Sequence, residues 1–294
     1  MKHRINKPFR SAKDEVKNLI ETGAAPQERS VTYRLAFTDT QFLLREELRP
    51  VRLQLELLKP ELMQQDEHIN STIVIFGSAR IMEPEKANRQ VLLAEEALVK
   101  DPDNKRLRHN LKIAHSMVAK SKFYEEARRL STIISSICQK NGLKELVVVT
   151  GGGPGIMEAA NRGAHDVDAK SIGLNIVLPA EQGPNPYISP ELCFQFHYFA
   201  VRKMHFLIRA RALIAFPGGY GTLDELFEAL TLLQTRKITR LPILLFSKDY
   251  WSKVINFNVM VDEGTIDPDD LDLFQYVETA EEAWQAIADF YHIS

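Results

Sequence analysis

The sequence predicts an α/β fold with a doubly wound, parallel β-sheet, preceded by an N-terminal helical extension. Several short runs, such as STIVIF and ELVVVT, are apolar and β-branched, which is typical of strands buried on both faces. These runs alternate with longer stretches of helix-forming residues, and three of them lead into glycine-containing loops. Such alternation implies parallel strands joined by right-handed crossovers, so the loops should meet at the carboxyl edge of the sheet.

The bulk composition is that of an ordinary globular protein. The chain has 294 residues, 45% hydrophobic and 26% charged, and its net charge of -2 indicates neither nucleic acid nor an anionic membrane as partner. The first residues, MKHRINKPFRSAKDEV, contain no apolar signal region, and no apolar run reaches membrane-spanning length. Cys138 and Cys193 lack metal-ligand spacing, which excludes a cysteine-rich zinc site and a disulfide framework. We therefore expect a cytoplasmic enzyme or small-molecule binder.

Residues 1–66 are expected to form the helical extension. They are polar, with an extended or turn-like break at residues 23–26, and FLLREELRPVRLQLELLKPELMQQ carries apolar residues at helical spacing. Pro50 and Pro60 are expected to interrupt this helical pattern. The extension is interpreted as an arm that packs on the core or on another subunit. The core domain is placed at residues 67–294.

The first half of the core contains two predicted strands. STIVIFGSAR, residues 71–80, predicts a buried strand that ends in a polar loop. The charged stretch 83–140 predicts a helical insertion, with a loop or helix break at DPDNKRLRHN. ELVVVT, residues 145–150, predicts the second strand, and GGGPGIMEAANRGAHD predicts a glycine loop that opens a helix.

The second half repeats the alternation. SIGLNIVLP, residues 171–179, predicts a strand, AEQGPNPYISPE a loop, and FHYFAVRKMHFLIRARA a helix with an apolar face. LIAFPGGYGTLDELFEALTLLQ again predicts strand, glycine loop and helix. LPILLFSKDYW predicts one more strand, and FQYVET and AEEAWQAIADFYH predict a short strand and a closing helix. The pattern is Rossmann-like, so GSAR, GGGPG and PGGYGT should gather at one edge of the sheet.

The glycine loops are suited to an anion. Glycine lets the backbone approach a ligand closely, and the free amides and dipole of a following helix favour negative charge. Each loop alone fits a purely structural turn as well. Two such loops at one edge of the sheet, together with Gly77 and Ser78 after a third strand, favour a phosphate site. Thr222 is positioned either to cap the following helix or to give its hydroxyl to the phosphate.

The loops match none of the common nucleotide fingerprints. GGGPGIME has Ile156 where G-x-G-x-x-G needs its third glycine, and SIGLNIVLP ends without the acidic residue that holds the ribose in NAD sites. The P-loop pattern G-x-x-x-x-G-K-[ST] does not occur. The remaining candidate ligand is a nucleoside monophosphate or a sugar phosphate, held without a metal or cofactor.

Three charged residues are candidates for the chemistry. Arg202 and Lys203 lie in an otherwise apolar helix, where they either extend to solvent along their aliphatic stems or face a pocket. Glu225 is predicted in the first turn of the helix after PGGYGT, where it either complements the helix dipole or faces the same pocket. Asp224 and Glu228 share this ambiguity.

Together, GSAR, GGGPGIMEAAN, the Arg202–Lys203 pair and PGGYGTLDE resemble the Lonely Guy family of nucleoside 5′-monophosphate phosphoribohydrolases, long labelled "lysine decarboxylase-like". The resemblance covers residues 71–247, and P-G-G-x-G-T-x-x-E is a specific motif. The arm, the insertion and the EQGPNPY loop resemble a longer bacterial branch. The family reaction hydrolyses the N-glycosidic bond to the free base and ribose 5-phosphate, here from AMP or a related purine or pyrimidine nucleotide.

The resemblance assigns roles residue by residue. Glu225 aligns with the catalytic glutamate, which stabilises an oxocarbenium-like sugar or orients water. Arg202 aligns with the catalytic arginine, which contacts the base or stabilises its developing negative charge. The expected substrate-binding residues are Gly218, Gly219, Gly221 and Thr222 at the phosphate, Gly152 and Gly153 in the same pocket, Gly77 and Ser78 near the ribose or base, Glu158 at ribose hydroxyls, and Lys203. The family implies a homodimer or a larger homo-oligomer.

Other functions stay open at this stage. A non-catalytic nucleotide-binding sensor or carrier on the same fold needs the glycine loops but not Arg202 with Glu225, so that pair favours the enzyme. A regulatory site for a signalling nucleotide in the arm and insertion is a third hypothesis. A pyridoxal-phosphate decarboxylase would need a Schiff-base lysine, and Lys203, beside an arginine, is already assigned.

Overall fold

The strands form one parallel sheet. The computed structural model describes residues 11–19, 25–142, 144–179 and 183–293, and the chain divides into two compact units, Met1–Leu55 and Glu56–Ser294. The division falls inside the stretch expected as the extension. The strands in the described part are β1 (Thr72–Phe76), β2 (Val147–Thr150), β3 (Ser171–Ile176), β4 (Cys193–Phe196), β5 (Ala210–Ala215), β6 (Ile243–Phe246) and β7 (Gln275–Val277).

The strand order confirms the predicted doubly wound α/β fold. Neighbouring strands are all parallel and follow the order β4-β3-β2-β1-β5-β6-β7. The chain first builds the sheet outward from β1 to β4, and then returns to place β5 on the other side of β1. The crevice between the loops after β1 and β5 is the topological switch point, where sheets of this kind bind ligands.

Helices flank this sheet and also occur in the described part of the first unit. Those in the described part are α1 (Ala12–Leu19), α2 (Thr40–Leu43), α3 (Arg49–Asp66), α4 (Pro84–Lys100), α5 (Lys105–Lys120), α6 (Lys122–Cys138), α7 (Ile156–His165), α8 (Phe199–Ile208), α9 (Tyr220–Gln234), α10 (Lys248–Val254), α11 (Phe257–Asp262) and α12 (Ala280–Tyr291). No helix within the described ranges is both long enough and apolar enough to cross a bilayer.

Helix α3 runs through both prolines that were expected to interrupt it. Pro50 lies in its first turn, where the backbone amide has no intrahelical acceptor, so proline costs little there. Pro60 lies inside the helix and is buried, and its missing amide leaves the carbonyl of Glu56 without a helical partner. The Glu56 carbonyl lies beside the ring of His205, a residue of α8. Burial lowers the pKa of His205, and this carbonyl opposes the shift. The break expected at residues 23–26 lies partly outside the described residues.

Strand β4 was missed, because the sequence indicated a loop running into a helix. Phe194 and Phe196 are buried with an exposed residue between them, and β4 pairs with β3 at the edge of the sheet. As a result β3 ends at Ile176, before the expected end at residue 179, and α8 begins only at Phe199. A strand of four residues is too short to show a period that distinguishes it from its surroundings.

Helix α6 belongs to the core, although the sequence placed it in an insertion. Its buried side chains pack with those of α7 and α12 against Ile73 and Ile75 of β1, so it is the crossover helix between β1 and β2. Helices α4 and α5 are the added part. The break between them is limited to residues 101–104, because Asn104 caps α5 by accepting from two amides of its first turn.

Helices α6 and α7 approach most closely at Gly163. A β-carbon there would overlap the carbonyl of Arg128 and lie 2.8 Å from Cβ of Ser131. We expect Gly163→Ala to lower the free energy of unfolding by about 1–3 kcal/mol, because the packed helices must move apart. Gly183→Ala is the matched control, because an added β-carbon there meets no atom of the described residues within 4 Å. Urea unfolding measures both, and equal stability of the two variants would contradict this packing.

Candidate active site

A cavity of about 830 Å³ opens where the loops after β1, β2 and β5 meet. The three predicted ligand loops therefore form one site. Of the residues expected to act there, the cavity is lined by Gly77, Ser78, Gly153, Arg202, Gly218, Gly219, Gly221, Thr222 and Glu225. Gly152, Glu158 and Lys203 lie outside its lining, contrary to expectation.

The loop after β1 closes against the start of α7. The carbonyl of Ser78 accepts from the amide of Ile156, the first residue of α7, at 3.2 Å, and the Ser78 amide donates to the carbonyl of Pro217 at 3.0 Å. Gly155 has a φ of +73°, and a β-carbon there would overlap the Ser78 carbonyl. Because an anion needs unpaired amides, this contact favours α9 over α7 as the place for a phosphate.

Gly152 is buried in packing beneath the cavity wall. A β-carbon on it would overlap the side chain of Asn175. Its carbonyl accepts from the backbone amide of Asn185 at 2.9 Å and from the side-chain amide at 3.1 Å. Met157 in turn covers Gly153, since a β-carbon there would lie 2.9 Å from the methionine Cε. The GGGPG loop is thus held from inside by Asn185, which comes from the EQGPNPY loop.

The loop after β5 leaves the first turn of α9 open. Gly219 is the N-cap, and the amide of Leu223 donates to the Gly219 carbonyl at 3.0 Å. The preceding amides, on Tyr220, Gly221 and Thr222, have no intrahelical acceptor. A β-carbon on Gly219 or Gly221 would meet no atom of the described part of the chain within 4 Å, so these residues leave the approach to the amides clear. Free amides and the positive end of the helix dipole suit this turn to an anion.

Because α9 begins within the glycine motif, one of the two alternatives for Thr222 fails and the first-turn placement of Glu225 is wrong. Thr222 is its third residue, so it does not cap the helix, and its buried side chain lines the cavity. Glu225 lies in the second turn, so the alternative that it complements the dipole from the first turn does not apply. The hydroxyl of Tyr250 donates to the carbonyl of Gly218 at 2.6 Å and holds the turn from the β6 side.

Arg202 reaches the cavity from α8. Its guanidinium lies 5.0 Å from the ring centroid of Phe199 and 5.4 Å from that of Phe206. One of its nitrogens lies 3.6 Å from Oε1 of Glu225, and another donates to the carbonyl of Leu174 at 3.5 Å. Burial lowers the pKa of Arg202, while the charge of Glu225 opposes this. With only 13% of its side chain exposed, Arg202 does not extend to solvent.

Among the residues that the structure describes, Glu225 supplies the only carboxylate of the cavity lining. The residue is 7% exposed, and burial raises its pKa to about 7, although the positive charges of Arg202 and Lys203 oppose the rise. The neighbouring carboxylates of Glu228 and Asp224 add to it. Near neutral pH the protonated and ionised forms are therefore similarly populated. A carboxyl in this state can accept a proton from water and return it.

Lys203 and Glu158 hold helices together outside the cavity. Nζ of Lys203 lies 2.9 Å from a carboxylate oxygen of Asp224 and 3.0 Å from one of Glu228, which connects α8 to α9. Glu158 accepts from the hydroxyl of Tyr124 at 3.0 Å, which connects α7 to α6. Both contacts fix the spacing of the helices that carry the cavity residues.

Helix α8 is held at both ends by carboxylates of α3. Glu56 accepts from the backbone amides of His197 at 2.8 Å and Tyr198 at 3.1 Å, where α8 lacks a cap of its own. At the other end, Glu61 forms an ion pair with Arg209. Arg202 lies between these ends, so the two contacts hold in place the helix that carries its guanidinium.

Several cavity residues were missed from the sequence. Met117 and Lys120 come from α5, Tyr250 from α10 and Asn175 from β3. Asn175 and Tyr250 lie on or just after strands at the carboxyl edge, which is the one signal that could have indicated them. No local pattern marks Met117 or Lys120, because α5 is an added helix whose position depends on distant contacts.

Comparison with known proteins identifies relatives. A family model described as possible lysine decarboxylase matches residues 157–287, a range that includes PGGYGTLDE but neither GSAR nor GGGPG. A cytokinin riboside 5′-monophosphate phosphoribohydrolase of Arabidopsis thaliana is 29% identical over 148 residues, which are 49% of this chain and 67% of that protein. The chain is thus similar to the Lonely Guy proteins over about half of its length. The resemblance inferred from the motifs is thereby confirmed.

Other similarities cover a smaller part of the chain or are more distant. A pyrimidine/purine nucleotide 5′-monophosphate nucleosidase of Escherichia coli K12 is 34% identical over 133 residues, 40% of this chain and 29% of that protein. The aligned segment thus spans less than a third of that relative. A Moco carrier protein of Chlamydomonas reinhardtii has a TM-score of 0.45 at 16% identity, over 76% of this chain and 98% of that chain. A similarity at that level carries no functional argument.

Glu225 should make stability depend on pH. Below its ordinary pKa of 4.5 the carboxyl is protonated in the folded and unfolded chain alike. Between 4.5 and about 7 the unfolded chain releases this proton while the folded chain keeps it, so the wild-type protein loses stability as pH rises. Relative to Glu225→Gln, which cannot titrate, we expect a loss of about 3 kcal/mol across this window. Urea unfolding from pH 4 to pH 8 measures the difference, and parallel curves would contradict the raised pKa.

Proposed function

We propose that this protein hydrolyses the N-glycosidic bond of a nucleoside 5′-monophosphate, AMP or a related nucleotide, to the free base and ribose 5-phosphate. The observation that carries the proposal is the buried pair of Arg202 and Glu225, 3.6 Å apart, in the same cavity as the open first turn of α9. A phosphate-binding turn and an acid–base pair are the two parts that this reaction needs. The activities named for the relatives in Arabidopsis and Escherichia coli support it.

The 5′-phosphate is assigned to the first turn of α9. The free amides of Tyr220, Gly221 and Thr222 and the helix dipole provide fixed positive charge there without a metal. Thr222 adds a hydroxyl that lines the cavity. The cavity volume of about 830 Å³ is large enough for a nucleotide, because small-molecule sites range from about 300 to 1,000 Å³.

The chemistry is assigned to Arg202 and Glu225. As the bond between C1′ and the base nitrogen breaks, its electron pair leaves with the base and C1′ becomes oxocarbenium-like. Ionised Glu225 stabilises that positive charge and accepts the proton of the water whose oxygen adds to C1′. Arg202 stabilises the negative charge on the departing base, which then takes up a proton. A pKa of about 7 suits Glu225 to this role near neutral pH.

The proposal also includes the compartment, the oligomeric state and the binding partners predicted from the sequence. We infer a cytoplasmic homo-oligomer that takes a free nucleotide as substrate, with neither nucleic acid nor a membrane as partner. Lys203, Glu158 and Gly152, which the family resemblance links to substrate, act in the proposal by holding α8, α7 and the GGGPG loop in position.

The decisive test is nucleotide hydrolysis by the purified full chain. AMP, GMP, IMP, CMP and UMP are incubated separately, and free base and ribose 5-phosphate are followed by chromatography. We expect release from at least one of them, and Glu225→Gln to slow it by at least about 100-fold while AMP still binds. Glu95→Gln, an exposed carboxylate on α4 outside the cavity, is the matched control and should keep full activity.

Two outcomes would contradict the proposal in different ways. Binding of monophosphates without base release in the wild-type protein would favour a non-catalytic sensor or carrier. Release that persists in Glu225→Gln would remove the catalytic assignment of Glu225 and leave the reaction itself in place.

Gly221→Ala separates phosphate contact from folding. Alanine stabilises a helix by about 1 kcal/mol relative to glycine, and the added β-carbon meets no protein atom within 4 Å, so thermal stability should hold or rise. A methyl group at the first turn of α9 would occupy space that the phosphate needs, so we expect the KM for AMP to rise about tenfold or more. Gly183→Ala serves again as control. An unchanged KM in Gly221→Ala would move the phosphate away from α9.

A further inference from the structure

Lys120 is a charged residue of the cavity that the proposed mechanism does not use. It is the last residue of α5, and it lines the cavity together with Met117 from the same helix. Its half-buried ammonium donates to the hydroxyl of Ser116 and forms no ion pair with any carboxylate that the structure describes. A partly desolvated cation without a counter-charge is unfavourable, and an anion from outside the chain would relieve that cost.

Aromatic contacts place the corner between α5 and α6, next to Lys120, on one side of the cavity. Phe123, at the start of α6, lies 6.1 Å from Phe246 between ring centroids, and Phe246 is the last residue of β6. Phe246 stacks on Phe216 at 4.3 Å, and Phe216 immediately precedes PGGYGT. The corner between α5 and α6 is thus anchored on the β5–β6 side of the cavity, which is the side where α9 begins.

The cavity lining carries an excess of positive charge. Its cations are Arg80, Lys120 and Arg202, against the carboxylate of Glu225. Because Arg202 and Glu225 face each other, the excess rests on Arg80 and Lys120. Helix α5, KRLRHNLKIAHSMVAK, contains five lysines and arginines and no acidic residue. A cationic helix that ends at a cavity raises the local concentration of anions at its mouth.

We propose that Lys120 binds the 5′-phosphate of the substrate together with the first turn of α9. The inference rests on the proposed function, and it makes the added helix α5 a determinant of selectivity. The amides and dipole of α9 supply only partial positive charge, whereas a lysine adds a full point charge that a neutral nucleoside cannot use. Helix α5 therefore sets the preference for a phosphorylated nucleotide over the corresponding nucleoside.

The experiment compares Lys120→Gln with Lys122→Gln in the full chain. Lys122 lies two residues away, is exposed, contacts the ring of Phe123 at 5.0 Å and does not line the cavity, so it is a matched loss of charge. Binding of AMP, adenosine and inorganic phosphate is measured by calorimetry, with AMP studied in the Glu225→Gln background to prevent turnover. Lys120→Gln should weaken AMP and phosphate about 10- to 100-fold, leave adenosine unchanged, and be partly rescued in Lys120→Arg.

The outcomes separate this inference from the proposed function. Equal AMP affinity in Lys120→Gln and Lys122→Gln would overturn the role of Lys120, even if the wild-type protein hydrolyses AMP. A selective loss of phosphate affinity in Lys120→Gln would support it, even if the wild-type protein hydrolyses no monophosphate, in which case only the proposed reaction fails. An equal loss of AMP and adenosine binding would also overturn it, because a general effect on folding does not distinguish the phosphate.

Discussion

The buried contact between Arg202 and Glu225 is the interaction on which the candidate site depends. Both side chains are almost fully removed from water, and for two charges that removal costs several kcal/mol each. The direction of the pKa of Glu225 shows which effect is larger. Its rise to about 7 means that burial outweighs the attraction of Arg202, so the pair does not hold itself together. The surrounding fold must supply the difference.

The contacts around α8 and α9 supply that support. Glu56 caps the start of α8 from a position 141 residues earlier in the chain, and Glu61 pairs with Arg209 at its end. Lys203 connects α8 to two carboxylates of α9. Each contact fixes a helix end or a spacing, so together they limit how far Arg202 and Glu225 can relax apart. Lys203 is adjacent to Arg202 in the sequence, and its ion pairs with α9 help to keep Arg202 close to Glu225.

The sequence predicted the parts of this arrangement that depend on local pattern. Short apolar, β-branched runs that alternate with helical stretches were enough to predict the parallel sheet, because strands buried on both faces have this pattern. The start of α9 at Tyr220 and the short strand β4 were missed, because the helix begins inside a glycine motif and the strand has only four residues. The contact of Glu56 and the approach of Lys120 depend on contacts between distant segments, which no local period records.

The glycines of the three loops divide by what surrounds them. At Gly77, Gly152 and Gly218 a β-carbon would collide with Ile156, Asn175 and Thr222, so these glycines let one part of the protein approach another. At Gly219 and Gly221 a β-carbon would meet no atom within 4 Å in the part of the chain that the structure describes. A glycine that faces open space lowers helix stability without allowing any closer packing within the protein. This is the pattern expected where the neighbour of the glycine is a ligand. Of the three loops, the one after β5 is therefore the one whose glycines stay open to the cavity.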